Sequence, residues 1–151
     1  MQKFKISPFS FRAPSEITLK QLSVSDAELV NDEWPNKHEG SLFFIKRLID
    51  WNPNIGAYNQ EGELMGWCLR LQSGPLGALQ VREKFKRLGI GSLVTIAMSK
   101  ILVNADKNTF ALVGEKNIPS RTMFEKLNFK HTDDAYWLRT LPTNGVTNWT
   151  D

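Results

Sequence analysis

The stretch ALQVREKFKRLGIGSLVTIAMSKILVNA, residues 78–105, constrains the fold more than any other part of the chain. Residues 78–81 (ALQV) read as a buried central strand. In the loop that follows, four of the six residues from Arg82 to Arg87 are basic. Gly89, Ile90 and Gly91 then lead into a helix predicted over 91–105, so strongly apolar that it must pack against a sheet. A strand passing through a glycine-rich loop into a sheet-packed helix belongs to a mixed α/β domain. The loop also has chemical meaning. A helix N-terminus leaves its first N–H groups unpaired and carries partial positive charge. Glycines let an anion approach those groups, and Lys86 and Arg87 add charge beside them. The segment suits a phosphate or pyrophosphate. A solvated basic loop whose glycines serve only a tight turn is the plainer alternative. The Walker pattern and the third glycine of the dinucleotide fingerprint are both missing.

Other elements follow from turn signals and periodicity. An alternating strand is expected over 16–22. A helix is expected over 25–34, with Ser25 and Glu28 at capping-box spacing and Pro35 beyond it. A second helix runs over 41–51, with Ser41 as N-cap and Leu42, Ile45, Leu48 and Ile49 on one face. Strands over 55–58 and 64–71 flank the turn-like NQEGE and form a hairpin. A strand over 109–113 precedes a helix over 119–127, capped by Asn117, with Pro119 in its first turn and Asn128 placed for a left-handed C′ residue. A last strand or hairpin arm covers 129–139. The order is β-α-α-β-β-β-α-β-α-β, a mixed α+β chain with a long antiparallel run before its crossover helix.

At 151 residues the chain fits one domain. Nineteen Lys and Arg against sixteen Asp and Glu give a net charge of +3, which favours an anionic ligand without implying nucleic acid. The single Cys68 excludes an internal disulfide, and with His38 and His131 it leaves too few ligands for a structural zinc site. No stretch is long and apolar enough to span a bilayer, and residues 1–12 lack the apolar core of a secretory signal. That opening is basic and free of acids, as in a transit peptide; a frayed or docked arm is the simpler reading. Asn148 heads a formal glycosylation sequon, expected to be accidental.

The run from Asn117 to Phe129 reads N-I-P-S-R-T-M-F-E-K-L-N-F. On its own it is a well-capped amphipathic helix. Downstream of K-R-L-G-I-G (86–91), however, the pair resembles the GNAT superfamily of N-acetyltransferases. Its [QR]-x-x-G-x-[GA] loop binds the coenzyme A pyrophosphate, and its N-x-x-S-x-x-x-Y-x-K-L-G-F helix flanks the pantetheine and thioester. WP at 34–35, GSLFFI, GELMGWCLRLQSG and YWLRT narrow the resemblance to the carboxy-terminal domain of glycine N-acyltransferase-like proteins, over about residues 16–140. Members of that family usually carry a further amino-terminal domain, so a single-domain relative or a shortened chain is expected.

The resemblance implies a GNAT fold: a mostly antiparallel twisted sheet of about six to seven strands with about four helices. It implies an arm over 1–15, one acyl-CoA-binding domain over 16–140 and a tail over 141–151. It also implies an acyl-CoA-dependent N-acyltransferase moving an acyl group, acetyl first among them, to glycine or another small amine. Acetyl-CoA or another acyl-CoA is the co-substrate; no metal, nucleic acid or membrane partner is expected. An intracellular location is expected, cytoplasmic before mitochondrial. The residues implied in CoA binding are Leu79, Gln80, Val81, Lys86, Arg87, Leu88, Gly89, Ile90, Gly91, Ser92, Asn117, Ser120 and Phe124.

Three positions depart from the pattern. Lys86 stands where Gln or Arg is usual, keeping charge without the planar fork. Asn128 replaces glycine, and Asn tolerates the same backbone conformation. Phe124 replaces the tyrosine that would protonate the departing thiolate, and phenylalanine has no proton to give. A CoA-binding domain with little or no activity is therefore a second reading, and a small basic nucleic-acid-binding domain a third. No catalytic base is named: Glu83, Glu115 and His38 are candidates, each with a plainer role as a loop charge, a helix-start charge or an exposed turn residue. Cys68 reads as a buried inert thiol. Trp34, Trp67, Tyr136 and Trp137 are candidates to line an acceptor pocket, with a core role the plainer reading for Trp67. Arg70 and Arg139 are candidates to read a carboxylate.

Overall fold

The computed structural model describes residues 2–5, by backbone alone, and 14–138. Seven strands form one sheet: β1 (Gln2–Lys5), β2 (Thr18–Lys20), β3 (Asn54–Tyr58), β4 (Leu64–Arg70), β5 (Leu76–Val81), β6 (Phe110–Val113) and β7 (Lys130–Asp134). Their order across the sheet is β2-β3-β4-β5-β6-β1-β7. Every neighbouring pair is antiparallel except β5 and β6. Four α-helices accompany them: α1 (Ala27–Asp32), α2 (Ser41–Trp51), α3 (Ile90–Asn104) and α4 (Ile118–Lys126). This is the expected mixed α+β fold.

The sheet is sandwiched because β3 and β4 are apolar on both faces. Alternate residues of β4 point opposite ways. Leu64, Trp67 and Leu69 enter a core with Val30 of α1 and Ile45, Leu48 and Ile49 of α2. Met65 and Cys68 enter a second core with Leu93, Val94, Met98 and Leu102 of α3 and Phe124 of α4. Each such Leu, Ile or Met side chain, fully buried, contributes about 1.5–3 kcal/mol. Gly56 and Gly66 let these layers close. A Cβ on Gly66 would sit 2.9 Å from the Gln80 carbonyl oxygen and 2.9 Å from Ile90 Cγ2.

Several boundaries differ from the sequence expectation. The first helix begins as a 3₁₀ turn, Val24–Asp26, and its capping box pairs Ser23 with Asp26 rather than Ser25 with Glu28. Gly40, in the left-handed region, caps α2 in place of Ser41. Ser41 is instead buried, its hydroxyl 2.7 Å from Asn31 Oδ1, which ties α2 to α1. The strand expected over 16–22 is only Thr18–Lys20, and the last strand ends at Asp134. Of the arm expected over 1–15, Gln2–Lys5 form β1, inserted between β6 and β7. A pairing made by partners more than 100 positions away leaves no local signal. The Asn148 sequon and Arg139 lie outside the described residues.

Candidate functional site

The site begins where β5 and β6 part. They meet at one register position, Leu76 with Ala111, and beyond it the sheet opens into a cleft of about 320 Å³. One wall is residues 76–80 of β5 and the other 111–113 of β6. Asn117, Ser120 and Phe124 of the α4 segment complete it, and Trp34, Pro35 and Asn36 stand at one end.

A bulge shapes the β5 wall. Trp67 pairs with Gln80 and Leu69 with Gly77, so two steps on β4 oppose three on β5. The extra residue is taken up near Ala78, which has φ +46°, unusual for a residue with a Cβ. A bulge leaves main-chain groups out of the ladder, and here the adjoining stretch faces the cleft. The strand expected over 78–81 is thus longer, starting at Leu76, and is not straight.

β5 then runs into the basic loop. Arg87 has φ +64° and Gly89 φ +76°, whereas Lys86 between Glu83–Phe85 and Arg87 is extended at φ −64°. Such alternation turns successive N–H groups toward one side, an anion-binding concavity. Gly89 caps α3, and no side chain occupies the cap. The Leu93 N–H reaches the Gly89 carbonyl at 3.0 Å and starts the helical ladder. A Cβ on Gly91 would lie 3.3 Å from Met123 Sδ, so the start of α3 packs closely beside α4. At the head of α4 the Asn117 side chain accepts the Ser120 N–H at 3.3 Å, as the sequence predicts.

The expected CoA residues thus fall in two adjoining places. Leu79, Gln80, Asn117, Ser120 and Phe124 line the cleft together. Lys86, Arg87, Leu88, Gly89, Ile90, Gly91 and Ser92 form the loop and first turn of α3 at its continuation. Val81 lies between them, with its Cγ2 3.5 Å from where a Cβ on Gly91 would be. Two side chains point elsewhere: Ile90 is in the core, and with Leu88 it borders a separate cavity near Glu16 and Glu61. Lys86 is paired with Glu83 at 2.5 Å. Arg87 is exposed, with no ion-pair partner among the described residues. Phe124 is buried, its ring edge-on to Phe129 at 5.0 Å.

A second cavity of about 590 Å³ shares Trp34, Asn36, Leu76, Gly77, Ala78 and Leu112 with the cleft, so the two meet at the bulge. Phe44, Leu71, Pro75 and Trp137 extend its wall. Trp34 is set by stacking on Phe44, with ring centroids 5.9 Å apart. Of the four aromatic candidates, Trp34 and Trp137 line this space. Trp67 is core, and Tyr136 is exposed outside both linings. Asn36, Phe44 and Leu112 were missed; the PN turn and the apolar stripe of α2 read equally well as loop and core.

None of the three base candidates lines either cavity. Glu83 is taken by Lys86, Glu115 is exposed, and His38 is exposed with Nδ1 2.8 Å from the Asn36 carbonyl. Arg70 is absent from both linings, and its Nε is buried without a hydrogen-bond partner. Cys68 is fully buried, and burial pushes its thiol up to about 12, which makes it inert at neutral pH. Among the described residues no cluster of His, Cys, Asp and Glu could hold a metal ion.

A cleft at the parting of two parallel strands, a bulge on one of them and a helix N-terminus beyond it define the fold of the GNAT acetyltransferases. An aminoglycoside N-acetyltransferase, AAC(6')-Iy, solved with a CoA bisubstrate analogue, shares it at 15% identity, with a TM-score of 0.68 over 85% of this chain and 100% of that one. A Drosophila protein of known structure is similar at 29% identity and TM-score 0.79, over 87% of this chain and 47% of that one. Human glycine N-acyltransferase-like protein 1 is 33% identical over 110 residues, covering 72% of this chain and 36% of that protein. The human glycine N-acyltransferase-like protein 2 is 28% identical over 110 residues. The chain spans about a third of the length of these curated relatives. The FR47-like protein family model matches residues 54–138, and the chain belongs to that family.

Proposed function

We propose that this chain binds an acyl-CoA and transfers its acyl group to an amine. The pyrophosphate lies on the N–H groups of 87–92 with Arg87 beside it, and the pantetheine runs along β5 in the cleft, its amides pairing with strand main chain as an added strand would. The thioester then sits at the bulge. A neutral amine attacks the thioester carbon, and its lone pair forms the new C–N bond. The carbonyl oxygen gains negative charge, which main-chain N–H groups around 79–81 stabilise. Collapse breaks the C–S bond, the thiolate leaves with the electron pair, and the proton shed by nitrogen ends on sulfur.

The observation that carries this reading is the single β5–β6 contact at Leu76 and Ala111, which opens a strand-edged cleft aimed at an uncapped, glycine-led helix N-terminus. Calorimetric titration with acetyl-CoA, then mass spectrometry of the complex with a panel of amines, tests it. One-to-one binding and amide formation above the protein-free rate are expected; no binding by folded protein would refute it. Phe124 favours a second reading, binding without transfer, because no hydroxyl at that position can protonate the thiolate. Binding with no amide from any amine would select that reading.

A further inference from the structure

The residues lining the cleft and the cavity joined to it carry no titratable side chain among those described. The walls are aliphatic, aromatic, or neutral polar groups such as Asn36, Gln72 and Gln80. Charged neighbours exist on every packed element, but they are absent from the linings. On the segment holding Trp34, Lys37 pairs with Asp32 at 2.5 Å, Glu33 with Arg82 at 3.7 Å, and His38 faces the Asn36 carbonyl. On β4, Arg70 is absent from both linings. Around Asn117, Glu115 and Lys116 are exposed, and Arg121 pairs with Glu125 at 3.0 Å.

Two consequences follow. An ammonium entering this space would lose water and find no counter-ion, which disfavours it strongly. No side chain waits to remove its proton, and a tetrahedral carbon forms only with a nitrogen lone pair. A carboxylate, as on glycine, would find no Arg or Lys to receive it. The cavity of about 590 Å³ instead offers Trp34, Phe44, Leu71 and Trp137 to an apolar or aromatic body.

We infer that the acceptor is an uncharged amine of low basicity with an apolar body, of the arylamine class, rather than glycine or an alkylammonium. This rests on the acyltransfer reading above. The arylamine arrives with its lone pair free and its ring against Trp34 and Phe44. Nitrogen bonds to the acyl carbon, the C–S bond breaks, and one N–H proton is carried by solvent to the thiolate, giving amide and CoA thiol. No base is consumed and none is required from the protein.

The test uses the full chain with acetyl-CoA and three acceptors: 4-methylaniline, 4-methylbenzylamine and glycine, from pH 6.5 to 9. An alkylamine with pKa near that of lysine, about 10.4, is neutral at pH 7 in roughly one molecule in 2,500. The expected kcat/KM for the arylamine is flat over this range. For 4-methylbenzylamine it rises about tenfold per pH unit while remaining below the pKa of that amine. At pH 7 the arylamine leads by on the order of tenfold or more, its weaker nucleophilicity included. Glycine is expected to be the poorest of the three. The variant Gln80→Glu, which puts a carboxylate in the wall, is expected to narrow the gap in favour of the benzylamine and to add an inflection to the pH profile. A preference for glycine or the benzylamine at pH 7 would overturn the inference and leave acyltransfer standing. CoA binding without acylation of any acceptor would overturn both.

Discussion

Arg87 is held at φ +64°, where a residue with a Cβ is strained, and its guanidinium has no ion-pair partner among the described residues. Replacing it with glycine therefore moves stability and ligand affinity in opposite directions. The left-handed conformation costs an ordinary residue roughly 1–2 kcal/mol, and glycine removes that cost. Glycine also frees the unfolded chain, which takes back about 0.4–1 kcal/mol. Near the middle of both ranges the net gain is about 0.8 kcal/mol, which for about 150 residues raises Tm by roughly 2–3 °C. In the complex the variant loses a charge-assisted bond to the pyrophosphate, worth about 1.5 kcal/mol at the low end that suits an exposed side chain. CoA should then bind about tenfold more weakly. Lys86→Gly is the control: Lys86 sits at φ −64° in a surface pair with Glu83, so no strain is released and Tm should not rise. Thermal denaturation without ligand and calorimetric titration with CoA read the two effects separately. Arg87→Gly with a lower Tm and unchanged CoA affinity would refute both the strain argument and the assignment of the loop.

Three further outcomes are expected. Gly66→Ala places a Cβ 2.9 Å from the Gln80 carbonyl and Ile90 Cγ2, so β4 must move from β5; this should cost about 2 kcal/mol and lower Tm by roughly 4–8 °C, and an unchanged melting curve would contradict the close approach. Cys68 should resist a thiol reagent at pH 8 in the folded chain and react once denaturant is added; fast labelling of native protein would show that the thiol is not buried as described. Tyr58 is held above the ordinary phenol range by burial, and by its 2.8 Å bond to Asp26 and that carboxylate's charge. Its contribution is fully present below about pH 10 and declines above it, because the unfolded chain loses the phenol proton first. Denaturant titrations from pH 9 to 11.5 should therefore show wild type losing up to about 1.4 kcal/mol per pH unit more than Tyr58→Phe, and parallel curves would contradict the shift.

What the sequence made legible was local. The Asn117 cap, the left-handed Asn128 at φ +63°, the β3–β4 hairpin and the apolar helix after the glycine loop each depend on residues within one turn, and each is in the structure. The five cleft residues could be named because their motifs keep fixed spacing. The features that were not legible depend on partners far along the chain. Ala78 adopts φ +46° because Cys68 on β4 is opposed by one residue too many, and nothing in ALQV marks it. Trp34 faces the second cavity because α2 presents Phe44 to stack on it. β1 takes its place through β6 and β7. The first helix start was misread for a smaller reason: three serines and acids in SVSD offer alternative caps, and the 3₁₀ turn selects Ser23 with Asp26.

The central claim is that one acyl-CoA spans the β5 edge and the start of α3. Backbone amide NMR of the labelled chain during titration with CoA tests it most directly. The account predicts saturable shifts centred on residues 79–81 and 87–92, extending to Asn117 and Ser120, while the exposed face of α2 around Phe43 and Trp51 stays still. Shifts centred on α2, or on the separate cavity near Glu16 and Glu61, with the start of α3 unmoved, would contradict it.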